Sequence, residues 1–156
     1  MAGIKRDPES LLPVIVDEAQ ADALVAGDDP CDAVVVHIAR EQYREAAELV
    51  AETRLADPQN IRMRMLDTDL QRAMGKADAA ISRLRALLEE FKGSSHEPML
   101  NQYLGILYYS VGDLTGAEHR FQRALDLHTA AGSTPRRAEL ARRSLEAVHR
   151  RASLVR

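Results

Sequence analysis

Apolar residues recur three or four positions apart along most of this 156-residue chain. That spacing places them on one side of a helix, so it predicts a series of amphipathic helices between residues 40 and 151 rather than strands. Clusters of helix-breaking residues divide the pattern at 57–60, 75, 93–95, 112–113 and 132. Because these breaks are short, consecutive helices are expected to run antiparallel. Thr134 and Pro135 are suited to begin a last helix, as N-cap and first-turn residue.

The composition agrees with a helical protein. Alanine, leucine, arginine and glutamate are abundant, whereas aromatic residues make up only 4% of the chain and tryptophan is absent. These abundant residues are helix formers, so the expected fold class is all-α and an all-β fold is close to excluded. The length predicts one compact unit with a shared core. Cys31 is the only cysteine, which excludes an internal disulfide and is typical of a cytoplasmic protein.

Two segments depart from the helical pattern. Residues 34–38 form a β-branched run that fits a strand as well as a helix. Residues 11–16 form an apolar run that is too short for a signal peptide or a membrane span. Pro13 breaks a helix there, so we expect an extended or kinked stretch before a helix resumes near Asp17. This run either docks against the first helices or inserts into a groove, its own or that of a neighbouring molecule.

A sequence period underlies the helices. Its clearest copy has the pattern Asn101, Leu104-Gly105, Tyr108, Gly112, Ala117, Phe121, Ala124-Leu125. In the same register, Ala80 lies 37 residues before Ala117, and Ala46 lies 34 residues before Ala80. Small residues at these positions allow two helices of a pair to cross closely, whereas Tyr108 and Phe121 are bulky where one pair is expected to pack on the next.

This pattern resembles the tetratricopeptide repeat, with asparagine at 101 where the repeat has tryptophan. The resemblance implies three helix pairs at 27–60, 61–94 and 98–131, together covering 27–131. A partly helical N-terminal segment at 1–26 precedes them, and a C-terminal capping helix at 134–156 follows. The implied architecture is an α-solenoid, a right-handed stack of about three tetratricopeptide-like pairs, because a single pair cannot bury its apolar face alone. A plain helical bundle with chance spacing is the alternative.

In tetratricopeptide proteins the first helix of each pair lines a concave groove that takes a peptide or helix of a partner. By that resemblance, the partner-binding positions are Arg62, Met65, Asp69 and Arg72 in the second pair, Met99, Gln102, Ile106 and Tyr109 in the third, and Cys31, Val35 and Ile38 in the first. This mixture of apolar and polar side chains suits an apolar segment with polar ends. Equally open is that Met99, Ile106 and Tyr109 pack against the capping helix or the N-terminal segment.

Charge is distributed unevenly, although the net charge is only −3. Residues 1–60 hold thirteen acidic against five basic residues, and residues 134–156 hold two acidic residues against seven arginines. Arg136, Arg143 and Arg150 recur at sevens and form a basic face on the last helix. That face is solvated, or contacts an acidic protein surface, or contacts nucleic acid, which the overall acidity and the lack of aromatic residues in the tail disfavour. The opposite charges of the two ends also favour a weak, salt-sensitive homodimer.

Sequence motifs of catalysis and cofactor binding are missing. The five histidines lack metal-ligand spacing, and the sequence contains neither a phosphate-binding glycine loop nor the nucleophile elbow of serine hydrolases. Cys31 lies beside Asp32 and near Asp28 and Asp29, whose charges suppress a reactive thiolate. We therefore expect no enzyme, no catalytic or metal-ligating residue and no cofactor.

The expected function is that of a non-catalytic protein-interaction module that binds a peptide or helix of an unidentified protein partner in its groove. Two alternatives stay open. One is a structural homo-oligomer whose groove is occupied by its own chain. The other is a regulatory domain that contacts nucleic acid through the arginine-rich last helix. In each case we expect a cytoplasmic location without membrane association.

Overall fold

The computed structural model describes residues 1–155, which form an all-α fold with two short strands. The strands β1 (Ile4–Arg6) and β2 (Pro13–Ile15) pair antiparallel, with Lys5 opposite Val14. Eight helices occur in this part of the chain: α1 (Glu18–Val25), α2 (Pro30–Ala39), α3 (Tyr43–Ala56), α4 (Ile61–Ala73), α5 (Ala77–Glu90), α6 (Glu97–Ser110), α7 (Leu114–Ala130) and α8 (Pro135–Leu154). None of the described helices has the length and apolar character that crossing a membrane requires.

Helices α3 to α8 lie where the apolar spacing predicts them, because the sequence supplies their caps and breaks. The Asn60 side chain accepts a hydrogen bond from the Met63 N–H at the start of α4. The Asp113 side chain does the same for α7 through the Gly116 N–H. Gly112 ends α6 with a φ of 82°, a left-handed conformation that glycine adopts at no steric cost. The all-α class expected from the sequence is therefore confirmed.

The two segments that departed from the pattern take different structures. The β-branched run at 34–38 is helical, as part of α2, which begins at Pro30 with Asp29 as its N-cap. Most of its side chains are buried, and a helix buried on several sides tolerates β-branched residues because packing outweighs their propensity. Pro13 begins β2, and Asp17 caps α1, so the chain is extended before a helix resumes, as predicted. The pairing of β2 with β1 was not predicted.

The chain forms two compact units, whereas its length predicts one. Unit 1 consists of Met1–Asp7 and Leu12–Ala80, and unit 2 consists of Pro8–Leu11 together with the chain from Ile81 onward. The β1 and β2 strands thus belong to unit 1, and the loop that joins them belongs to unit 2. Apolar periodicity gives the face that each helix buries, but it does not show with which helices that face forms a core.

Helices α2, α3 and α4 form the core of unit 1. Its buried members are Cys31, Val34, Val35, Ile38, Ala46, Val50, Met63, Leu66 and Leu70. Cys31, Val35 and Ile38, which the resemblance assigns to a partner groove, are thus packing residues of this core in the structure. Their exposed fractions of 2%, 9% and 7% leave little surface for another molecule.

In unit 2, α6 and α7 are antiparallel and cross closely at Gly105. An added Cβ at Gly105 would lie 2.5 Å from Cε1 of Phe121, whose side chain has no solvent exposure. Phe121 therefore packs within its own helix pair, and the expectation that it packs between neighbouring pairs missed this contact. The Arg123 guanidinium also pairs with Glu97 across the two helices, at 3.2 Å. Glycine is needed at 105 because the aromatic ring fills the space of a side chain.

Helix α8 packs on α7 and runs parallel to α6. The Gln102 amide donates to the Ser144 hydroxyl at 2.8 Å, and the Arg151 guanidinium donates to the Tyr109 carbonyl at 2.6 Å. Both partners advance by seven residues from one contact to the next, which requires the same chain direction in α6 and α8. The α6 surface toward α8 is therefore fixed at two points, two helical turns apart.

Replacement of Gly105 by alanine tests the close crossing. The added methyl group must displace the buried Phe121 ring, so we expect Gly105→Ala to lower the free energy of unfolding by about 1–3 kcal/mol although alanine is the better helix former. Urea unfolding followed by circular dichroism measures the effect. Gly27→Ala is the control, since its Cβ would lie 3.4 Å from the nearest atoms. A Gly105→Ala protein as stable as this control would contradict the packing described.

Candidate functional site

The loop Pro8–Leu11, here called the tip loop, is held in unit 2 by its main-chain carbonyl groups. The Tyr109 hydroxyl donates a hydrogen bond to the Glu9 carbonyl oxygen at 2.7 Å. The Arg150 guanidinium donates to the carbonyl oxygen of Pro8 at 3.1 Å. Two successive carbonyls of the loop are thus bound by side chains from α6 and α8. These bonds do not depend on which side chains the loop residues carry.

Arg151 holds the Tyr109 side chain of this site in place. Its guanidinium carbon lies 4.8 Å from the centroid of the Tyr109 ring, a cation–π distance, while its Nη1 binds the Tyr109 carbonyl. The same arginine therefore contacts both the ring and the main chain of one residue. Because these contacts join α6 and α8, they hold the hydroxyl of Tyr109 ready for an acceptor independently of the tip loop.

Gln102 lies two turns before Tyr109 on α6 and has a hydrogen-bonding atom that the protein does not use. The residue is 5% exposed, and its Nε2 donates to the Ser144 hydroxyl, which donates in turn to the Leu140 carbonyl. Its Oε1 has no hydrogen-bond partner within residues 1–155. Such an unpaired buried oxygen is uncommon, because its desolvation is not compensated.

Leu11 ends the tip loop in a strained conformation. Its φ is 62°, in the left-handed region that costs a residue with a Cβ about 1–2 kcal/mol. Only 3% of the residue is exposed. Strain of this kind persists only where the surroundings fix it, and here the burial of an apolar side chain offsets it.

The predicted partner-binding residues of the third pair are largely buried. Gln102, Ile106 and Tyr109 are 5%, 4% and 5% exposed, and only Met99, at 37%, is open to solvent. Gln102 contacts the last helix, and Tyr109 contacts both that helix and the N-terminal tip loop. Partner binding at these positions stays a prediction, and it now carries a condition: whatever covers the residues must first move away.

The predicted residues of the second pair belong to unit 1 and use their charges internally. Arg62 binds Asp29 at 2.8 Å and Asp32 at 2.6 Å. The Arg72 guanidinium pairs with Asp69 at 2.7 Å, and both side chains are nearly buried. Met65 has no solvent exposure. These four side chains therefore stabilise unit 1 in the structure described.

The predicted basic face, Arg136, Arg143 and Arg150, is exposed along α8. Arg143 pairs with Glu139 of its own helix at 3.0 Å, and Arg150 reaches the tip loop. The sequence interpretation did not single out Arg151, Ser144 or the tip loop carbonyls. The sequence did contain a signal for Ser144 and Arg151, since these two residues are seven positions apart, as Gln102 and Tyr109 are. The equal spacing indicates contacts only if α8 runs parallel to α6, and the sequence does not show that direction.

Unit 1 contains an open cavity of about 360 Å³ beside α2 and α3. Its apolar lining includes Val25, Pro30, Ala33 and Leu49, and its four acidic lining residues are Asp28, Glu45, Glu48 and Glu52. Of these acids, Glu48 pairs with the exposed Arg44 at 3.1 Å. The cavity thus combines an apolar floor with a negative rim.

Comparisons with protein-family models, with curated proteins and with solved structures find no match to the chain. Within the described residues, three or more histidine, cysteine, aspartate or glutamate side chains do not cluster in a way that could hold a metal ion.

Cys31 is placed as a packing residue rather than as a nucleophile. It is 2% exposed, and its Sγ lies 3.9 Å from Oδ1 of Asn60. Burial raises the pKa of the thiol, and the charge of Asp29 raises it further, against the opposing effect of Arg62. Both the access and the thiolate that a reactive cysteine needs are therefore lacking.

We expect Cys31 to react slowly with a thiol reagent in the native protein at pH 7.5 and at the rate of a free cysteine after unfolding in urea. The reason is that modification requires both exposure and deprotonation of the thiol. Absorbance with a chromogenic disulfide measures both rates. Equal native and unfolded rates would contradict the buried position.

Proposed function

We propose that this chain is a non-catalytic protein-interaction module that binds a segment of a protein partner on the α6 surface of unit 2. The observation that carries the proposal is the hydrogen bond from the Tyr109 hydroxyl to the Glu9 carbonyl. Through this bond the surface holds a segment of the chain itself by its main chain, which supports the proposal. A partner segment would accept the same hydrogen bonds.

Three further features support the proposal. The Tyr109 hydroxyl is oriented by Arg151, so the site is organised before a partner arrives. The arrangement of α6, an antiparallel α7 and a parallel α8 is what a stack of tetratricopeptide-like pairs with a capping helix would give. In such proteins the first helix of a pair, here α6, is the one that meets the partner.

Tyr109→Phe tests the proposed site by removing only the hydroxyl group. The test is made in a Leu11→Ser background, in which the tip loop is loosened and competes less for the hydroxyl that it binds in wild type. There we expect Tyr109→Phe to weaken capture of the partner from the native lysate about five-fold, the effect of one lost hydrogen bond of about 1 kcal/mol. Full-length protein is immobilised, and the bound partner is quantified by mass spectrometry. The ring remains in place, so the temperature of unfolding is expected to change little.

Tyr108→Phe is the matched control. Tyr108 is the next residue of α6, lies on a different side of the helix and is only partly buried. In the Leu11→Ser background, capture that Tyr108→Phe leaves unchanged but Tyr109→Phe reduces supports the proposed site. Capture that is unaffected by Tyr109→Phe would refute it.

A second candidate function is structural self-association. It is favoured by the acid-rimmed cavity of unit 1 and the exposed arginines of α8, which have complementary charges. In this proposal, α8 of a second copy lies against the cavity. Leu154, which is 85% exposed near the end of α8, supplies an apolar group for the cavity floor.

Charge exchange tests self-association. We expect wild type to associate at about 0.05 M salt and to dissociate at about 1 M, where the screening length falls to roughly 3 Å. Both Glu45→Lys/Glu52→Lys and Arg136→Glu/Arg143→Glu should be monomeric alone, and a mixture of the two should associate. Sedimentation velocity distinguishes these states. A mixture that stays monomeric would exclude this interface.

A further inference from the structure

The tip loop occupies the surface proposed for a partner, which raises the question of what its presence does. Its contacts include the hydrogen bonds accepted by the Pro8 and Glu9 carbonyls, and Leu11 at its end is buried. Every one of these groups is available in a segment of another protein. We propose that the tip loop is an internal competitor, and that the partner is a turn segment with two successive free carbonyls and a leucine two residues after the second of them. This inference rests on the proposed function.

The receptor side of the site, formed by α6 and α8, does not need the tip loop to keep its shape. Arg151 binds the ring and the carbonyl of Tyr109, and Gln102 binds Ser144. All of these contacts lie between α6 and α8. When the loop leaves, the donors for main-chain carbonyls therefore remain in position, and the site can accept another segment without being rebuilt.

The tip loop is strained in its bound position. Leu11 adopts a φ of 62° while its side chain is buried. The loop is confined by its flanking strands, since the Asp7 N–H donates to the Leu12 carbonyl at 2.9 Å across its base. A partner leucine that enters from another chain is free of this connection and can be buried in an ordinary backbone conformation. Exchange of the loop for a partner segment thus removes strain that the internal contact must bear.

The tip loop nevertheless has the advantage of its tether. A tethered segment acts at an effective concentration in the millimolar range, so it blocks weak ligands and admits strong ones. The apparent affinity for a partner is lowered by the fraction of molecules with the site open. The loop therefore sets a threshold of affinity that a partner has to exceed.

A cyclic peptide with the sequence of residues 7–12, closed by a disulfide between added terminal cysteines, is the probe. Its closure replaces the bond between Asp7 and Leu12. Fluorescence anisotropy measures its binding to the full-length chain. Leu11→Ser weakens the hold on the loop, so we expect this variant to bind the probe about ten-fold more tightly than wild type. Adding Tyr109→Phe to Leu11→Ser is expected to reduce the gain.

Val14→Ser is the matched control, because Val14 lies on β2 and is 40% exposed. It should bind the probe as wild type does. A second measurement avoids any destabilisation by Leu11→Ser: excess probe added to wild type should speed hydrogen exchange of the backbone amides of residues 9–11. Equal affinities of Leu11→Ser and wild type together with unchanged exchange would overturn the inference.

The outcome is distinguishable from failure of the proposed function. If Tyr109→Phe reduces partner capture but the probe binds neither variant and leaves exchange unchanged, the partner site stands and the competitor role of the loop is refuted. If the probe displaces the loop but capture is indifferent to Tyr109→Phe, the loop is exchangeable and the proposed partner function is refuted.

Discussion

The contact between Gly105 and Phe121 fixes the helix on which the rest of unit 2 depends. Because Gly105 has no side chain, α6 and α7 approach until the aromatic ring fills the gap, with an added Cβ excluded at 2.5 Å. The ring is wholly buried, so the approach of the two helices cannot vary without opening a cavity. Tyr109 and Gln102, on other sides of α6, are therefore presented in a defined position toward α8.

Arginines of α8 convert that packed helix pair into a surface that binds main chain. Arg151 binds the ring and the carbonyl of Tyr109 on the neighbouring helix α6, whereas Arg150 binds the Pro8 carbonyl of the tip loop. Cations that bind neutral carbonyls gain a stronger hydrogen bond than uncharged donors do. The chain's own loop is held in this way by its backbone, and in the proposed function a foreign segment with one apolar side chain takes the same site.

The helices and their ends follow from the sequence, since local signals determine them: Asn60 and Asp113 cap α4 and α7, and Gly112 ends α6. The close position of Gly105 could also be predicted, because a small residue in a helix-pair register indicates a crossing. The residue that fills the space at Gly105 was not predicted, since Phe121 was expected between neighbouring pairs and packs within its own pair. The sequence left open that Tyr109 packs against the capping helix or the N-terminal segment, and Tyr109 contacts both. The individual bonds did not follow from the spacing, because the hydrogen bond from Tyr109 to Glu9 joins residues a hundred positions apart.

The division into two units and the pairing of β1 with β2 also lay beyond the local pattern. Three-residue strands carry too short a period to be recognised. The apolar run at 11–16 indicated a packed segment, but it left open whether the segment docks against the first helices or inserts into a groove. Of this run only Leu11 belongs to unit 2, together with residues 8–10 that precede it. The rest of the run belongs to unit 1, where Pro13 begins β2.

In the proposed function, the α6 surface of unit 2 holds a segment of a partner by its main chain. Nuclear magnetic resonance of the full-length chain, labelled at isoleucine methyl groups and tyrosine rings, tests it most directly during titration with the captured partner segment. The signals of Ile106 and Tyr109 should shift together with saturation, and those of Ile81 and Tyr43 should stay unchanged. Shifts confined to Tyr43 and its neighbours, with Ile106 and Tyr109 unmoved, would contradict the claim.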